Sequence, residues 1–269
     1  MTGMSPRDEP RTALIAAELR ARIERGALRP GDQVPSEREL ARQHSVARMT
    51  ARAAVDQLVA AGLLVRHGDR RGTIVREYDP LVTVLSAMER GQRRDNPTIG
   101  DDWAAGVREQ NRRPRQVVKV DRDRPAPPWV VEQLPERIGL WVEVGERTVL
   151  RHRKRWVDDR PVQVVDSWFP MDVASMPVLG GGWCPLLDDG DQVLPGGILA
   201  AIGRPQLRVS DRISAEVADD ETRAALDLPP STVVLKHTRV GYDASDTPVR
   251  LMVTLAPTDR NVLGYEMDL

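Results

Sequence analysis

Ser36 and Glu39 stand three residues apart, directly ahead of Leu40 and Ala41. A serine followed by glutamate at that distance can close a capping box. The hydroxyl accepts from a backbone N–H in the first turn, and the carboxylate accepts from the serine's own N–H. The pair therefore pins the start of a helix to one place in the chain. That helix is short, ending at about Gln43, because His44-Ser45-Val46 reads as a turn. The next helix covers about Arg48 to Ala60, with Ala51, Val55, Leu58 and Val59 facing inward and Gly62 just beyond its end. Upstream, Ile15, Leu19 and Ile23 recur every four residues and predict a helix over 12–25, closed by Gly26; 28–32 is a turn by composition. Downstream, 63–65 and 73–75 read as strands joined by a turn over 68–72. Helix, helix, tight turn, helix and hairpin in about 65 residues predict a winged helix-turn-helix. In such a unit one helix fits the major groove and its partner sets the angle. The hairpin reaches the neighbouring backbone or minor groove.

The rest of the chain has a different rhythm. Residues 79–105 read as a linker, within which 80–85 has the apolar run of a short element, and 106–269 as a second domain. Strands are predicted at 148–156 and 161–168, then at 233–239 and 248–254, with a long bent strand over 207–217. Both hairpins share Val-Leu-basic-His and a Pro-Val at the return, and helices near 129–138 and 219–226 precede them. This pattern predicts an α+β domain built from two related halves in one antiparallel sheet, covered on one side by helices, with 180–197 as glycine-rich loop.

Charge is distributed unevenly between the two parts. The net charge of −1 combines 14 arginines and 10 acidic residues over 1–78 with 25 basic and 30 acidic residues over 79–269. A basic head on an acidic body suits a head that binds a polyanion. No run of apolar residues is long enough for a membrane span, and MTGMSPRDEP lacks the apolar core of a secretion signal. The single cysteine, Cys184, fits a reducing compartment, and four scattered histidines offer no metal-ligand spacing. No cofactor, metal, membrane partner or catalytic nucleophile–base set is expected, and the chain reads as cytoplasmic and nucleoid-associated rather than as an enzyme.

The run Leu28-Arg29-Pro30-Gly31-Asp32-Gln33-Val34-Pro35-Ser36-Glu37-Arg38-Glu39-Leu40-Ala41 resembles the signature of the GntR regulators. Arg48-Met49-Thr50, Arg52, Ala54, Leu58, Gly62-Leu63-Leu64 and Gly72-Thr73-Ile74-Val75 continue it in order, over about residues 11–76. The remainder resembles the UTRA effector domain of the HutC-like subfamily. It does so through Arg153 and Arg155 before Pro161, Trp168-Phe169-Pro170, and Tyr242-Asp243 before Pro248. The resemblance implies a chorismate-lyase-like second domain that binds a small effector and helps to form a homodimer. It also implies a repressor acting on double-stranded operator DNA with an inverted repeat. Three departures stand out. Ser45-Val46-Ala47 replaces the usual Gly-Val-Ser, so Ala47 cannot cap through a side-chain oxygen. The wing is one residue longer. Val165 and Arg250 stand where glutamate is common.

Candidate residues follow from both lines of reasoning. Arg48 and Arg52, four apart on the reading helix, share a face, and Arg38 on the preceding helix suits a backbone contact. Thr50 is a candidate for a phosphate or a thymine methyl. Arg66, Arg70 and Arg71 would bring charge to the wing, with Gly72 and Thr73 completing the DNA-facing set and Gly72 acting through its backbone freedom. In the second domain Arg153 and Arg155, two apart on a strand, point the same way. With Asp166 and Arg250 they form the candidate effector site, and two guanidinium forks there favour an anion. Packing or a partner hydrogen bond is the better expectation for His152 and His237. The competing function is a plasmid- or genome-maintenance DNA-binding protein whose second domain only dimerises.

Overall fold

The computed structural model describes residues 9–66, 72–76, 79–86, 101–133 and 142–267. The chain divides into two compact units, Met1–Asp79 and Pro80–Leu269.

The first unit holds α1 (Glu9–Glu24), α2 (Glu37–Gln43), α3 (Arg48–Ala60), β1 (Leu64–Arg66) and β2 (Thr73–Val75). The capping box forms: the Ser36 hydroxyl accepts from the Glu39 N–H at 3.3 Å, and the Glu39 carboxylate accepts from the Ser36 N–H at 2.8 Å. These bonds hold the Glu39 carboxyl below the usual carboxylate range. Ala47 begins α3 without a side-chain cap. Gly62 ends that helix at φ +73°, and the Leu63 N–H closes on the Leu58 carbonyl at 2.9 Å. This is the left-handed stop that glycine tolerates best. Ile15, Leu19, Leu40, Ala51, Val55, Leu58 and Leu64 form the core, so each predicted inner face does pack inward. β1 and β2 pair antiparallel, Leu64 opposite Val75 and Arg66 opposite Thr73. Gln33 bridges to Ile74 on the far side.

The second unit is built on a six-stranded antiparallel sheet in the order β4-β5-β6-β9-β8-β7. Its strands are β4 (Pro114–Pro125), β5 (Arg147–Val157), β6 (Arg160–Pro170), β7 (Arg208–Val217), β8 (Val233–Tyr242) and β9 (Pro248–Pro257). The two return strands, β6 and β9, meet at the centre, so the predicted halves lie side by side. Two short strands, β3 (Leu81–Val84) and β10 (Asn261–Gly264), pair in parallel beside the sheet. The helices are α4 (Asp102–Glu109), α5 (Pro128–Glu132), α6 (Met171–Ala174), α7 (Ile198–Ala201) and α8 (Asp220–Leu226).

Two expectations need correction. Residues 79–105 are not all linker: β3 joins the second unit through β10, and α4 begins at Asp102 with Asp101 as its cap. Cover is not confined to one side of the sheet. Alternation along the strands puts Val149 and Phe169 on one face, against α6 and α7, and the bulge between Pro248 and Arg250 turns Val249 to the same side. It puts Trp168, Tyr242 and Leu251 on the other, against Val130 of α5, with Trp129 set edge-on to Trp168 at 5.7 Å. The predicted helix near 129–138 is described only as far as α5, and 134–138 lies outside the described residues.

Candidate DNA interface and ligand cavity

The outer face of α3 carries the DNA candidates. Arg48, Met49 and Arg52 are exposed, Met49 by 69%. Arg48 meets Glu37 at 3.4 Å and Arg52 meets Asp56 at 3.9 Å, while Arg66 on β1 reaches both of these acids. Exposed ion pairs of this kind are worth about 0–1 kcal/mol. They orient the guanidinium groups and are readily exchanged for phosphate oxygens. Arg38 is exposed on α2 and makes no ion pair among the described residues.

Thr50 is a correction. It is 2% exposed, because it shares the inner face of α3 with Ala51, Ala54, Val55 and Leu58 and so cannot meet DNA. Met49 was not picked out from the sequence. It stands outward between the two arginines, where its apolar side chain suits a thymine methyl. Gly72 adopts φ +66°, and a Cβ there would lie 3.0 Å from the Gln33 amide nitrogen, which supports a backbone role. Thr73 is partly buried, and its carbonyl accepts from the Val34 N–H at 2.9 Å. Arg70 and Arg71 lie outside the described residues.

In the second unit the register sets Arg151, Arg153 and Arg155 on the same sheet face as Val165, Ser167 and Met252. A cavity of about 180 Å³ opens there. Arg153, Arg155 and Arg250 line it together with Arg239, Asp101, Asp191 and an apolar wall that includes Phe169, Leu194 and Ile198. Three of the four predicted effector residues are thereby brought to one place, and Asp166 is not. It sits on the opposite face, bound to His152 Nδ1 at 2.6 Å, because adjacent strand residues point to opposite sides.

Each arginine of this face has a different environment. Arg151 is fully buried, and its guanidinium donates to the carbonyls of Leu186 (2.9 Å), Asp188 (2.8 Å) and Gly190 (2.7 Å). It holds the loop that walls the cavity, and burial lowers its pKa to about 10. Arg155 is 7% exposed, lies over the Trp103 ring at 4.7 Å and donates to Gln116 at 3.1 Å; burial lowers it to about 10. Arg153 donates to the Ser167 hydroxyl at 3.3 Å and has no carboxylate within ion-pair distance among the described residues. Burial pulls its pKa down, and the more distant Asp101 and Asp191 oppose that.

Arg239 is held from behind. Two of its nitrogens donate to the Asp211 carboxylate at 2.6 Å each. His237 Nε2 lies 2.7 Å from the same carboxylate, and the Tyr265 hydroxyl also donates to it. Burial raises the Asp211 pKa, but these bonds outweigh it and hold the carboxyl well below the usual range. His152 and His237 each hydrogen-bond to an aspartate as expected, yet they face opposite sides of the sheet, so their matching sequence positions are not matching structural ones.

The family profile described as bacterial regulatory proteins, gntR family, matches residues 12–75, and that of the UTRA domain matches residues 110–261. This chain belongs to the gntR-family regulators that carry a UTRA domain. Along 261 residues this gntR-family regulator is 24% identical to the HTH-type transcriptional regulator GgaR of Escherichia coli K12, covering 94% of this chain and 89% of that protein. Its fold is shared by PhnF from Mycobacterium smegmatis, at a TM-score of 0.54 and 22% identity, over 94% of this chain and 99% of that one. A second solved structure, of a protein assigned to the GntR-family regulators, reaches 0.59 at 22% identity, over 96% and 97%. The chain is thus a GntR/UTRA-type transcriptional regulator, with a DNA-binding head and an effector domain, and not an enzyme. Among the described residues no helix is long and apolar enough to cross a membrane.

Proposed function

We propose that this regulator is a homodimeric, HutC-like repressor that binds an inverted-repeat operator and releases it when a small effector with an anionic group enters the second-unit cavity. Its place of action is the nucleoid, in the cytoplasm. The observation that carries the effector reading is the convergence of Arg153, Arg155 and Arg250 on one cavity, with Arg153 held by a single serine hydroxyl. A desolvated guanidinium is stabilised by a carboxylate or phosphate that accepts two of its N–H groups, and such charge-assisted pairs are roughly twice as strong as neutral ones. The dimer reading rests on the size of the head. One short reading helix per chain makes too little contact for tight, specific binding, and two heads related by a two-fold axis read two half-sites related the same way. The chorismate-lyase-like reading rests on the motif resemblance around Pro161 and Trp168-Phe169-Pro170.

Footprinting and sedimentation of the full-length protein test the first part, and a tight complex of one chain with an asymmetric site would overturn it. A thermal-shift screen of organic acids, sugar phosphates and neutral sugars, repeated on Arg153→Ala, tests the second. The expected result is a stabilising acid whose effect disappears in the variant and which frees the operator. An inducer that carries no anionic group would refute it.

A further inference from the structure

We propose that the effector is a small zwitterion, with its anionic group against Arg153 and Arg250 and its ammonium group received by Asp101 and Asp191. This rests on the cavity being the effector site, and it adds the second pole of the ligand.

Asp101 and Asp191 come from distant parts of the chain, the cap of α4 and the loop after Gly190. One carboxylate oxygen of each accepts from the same amide nitrogen, Nε2 of Gln116, at 3.0 Å and 2.5 Å. Two carboxylates gathered on one amide nitrogen repel each other, and the amide carries no charge to offset them. Asp101 meets Arg155 at 3.5 Å, and that guanidinium is shared with Gln116 and Gln163. Asp191 has no ion pair among the described residues. An ammonium placed between the two carboxylates would relieve their repulsion and donate to both, as it has three donors to give.

The charge count leads to the same ligand. Arg239 is neutralised by Asp211 and contributes no net field. The other charged groups lining the cavity are Arg153, Arg155 and Arg250 against Asp101, Asp102 and Asp191. Positive and negative charge are therefore equal in number. A plain anion would satisfy the arginines but lie close to the Asp101 and Asp191 carboxylates, in a site partly shielded from water, where such repulsion is strong. A ligand with separated charges satisfies both ends, and the apolar wall at Leu194 and Ile198 suits a short methylene bridge between them. The cavity's acceptors come from a helix cap and a loop instead of the sheet floor.

Calorimetry on the full-length protein with short ω-amino acids and aminoalkyl phosphonates, each beside its amine-free and its hydroxyl-bearing counterpart, tests this. At least one zwitterion is expected to bind tenfold or more tighter than both counterparts. Asp191→Asn should weaken that zwitterion about tenfold and leave the amine-free anion unchanged or tighter. Asp101→Asn should do the same, and asparagine still caps α4. A series in which no zwitterion outbinds its counterparts, including one in which nothing binds, overturns the inference. So does an unchanged zwitterion affinity in both variants. An amine-free acid that binds best and depends on Arg153 would sink the zwitterion and leave the anionic effector standing. An amine that binds without any acid group would sink both.

Discussion

Replacing Asp211 by alanine removes the acceptor on which three side chains converge. Arg239 and His237 are 1% and 2% exposed, so neither can turn to water for a substitute. Removing one partner of a buried ion pair leaves the other charge uncompensated and costs about 3–5 kcal/mol. For a unit of this size each kcal/mol moves the melting temperature by roughly 2–4 °C, so the second unit's transition should fall by about 6–20 °C. The pH dependence has a definite sign. The folded pKa of Asp211 lies below its unfolded value of about 4, so its stabilisation is complete above about pH 4 and is lost as the pH falls towards the folded value. The gap between wild type and Asp211→Ala should therefore be full at neutral pH and narrow below about pH 4. Scanning calorimetry, which separates the two units' transitions, measures both effects. The decisive comparison is Arg239→Met. It should be damaging on its own and partly restorative in the Asp211→Ala background, because it removes the stranded charge. A loss below about 1 kcal/mol for Asp211→Ala, or a double variant as damaged as the two single losses added together, would refute the reasoning.

Two further outcomes separate reading residues from supporting ones in the head. Arg48→Ala or Arg52→Ala should cost about 1–3 kcal/mol of discrimination between operator and scrambled duplex, whereas Thr50→Val should change operator affinity less than about twofold; titrations at fixed salt decide, and a Thr50→Val loss as large as the arginines' would return Thr50 to the interface. Gly72→Ala should destabilise the head by about 1–2 kcal/mol, since alanine resists φ +66° and its Cβ would crowd Gln33; urea unfolding of the full-length chain would show no shift if the wing tolerates the change.

Local chemistry was enough to read the first unit. Ser36, Glu39 and Gly62 act on backbone groups within a few residues of themselves, so their effect does not wait for the rest of the fold. Thr50, in the same segment, is the exception. Facing in or out depends on which neighbours α3 meets, and threonine is at home on either side. The hairpins β5-β6 and β8-β9 were also legible, because their apolar runs are bounded by turn residues. β4 was not. It is an edge strand with eight of its twelve residues exposed, and its charged sequence carries little of the alternation that marks a half-buried strand.

The sequence alone established that the chain has a capped helix ahead of its reading helix, a basic head, and arginines two apart on a strand that must face the same way. Only the tertiary structure decided what those arginines face. β3 pairs with β10 across nearly the whole second unit, and Asp101, Asp191, Arg239 and Arg250 reach one cavity from four separate segments. No local rule connects residues so far apart, because their meeting depends on strand order and register. A shift of one residue in β6 would have carried Asp166 into the cavity and Val165 out of it.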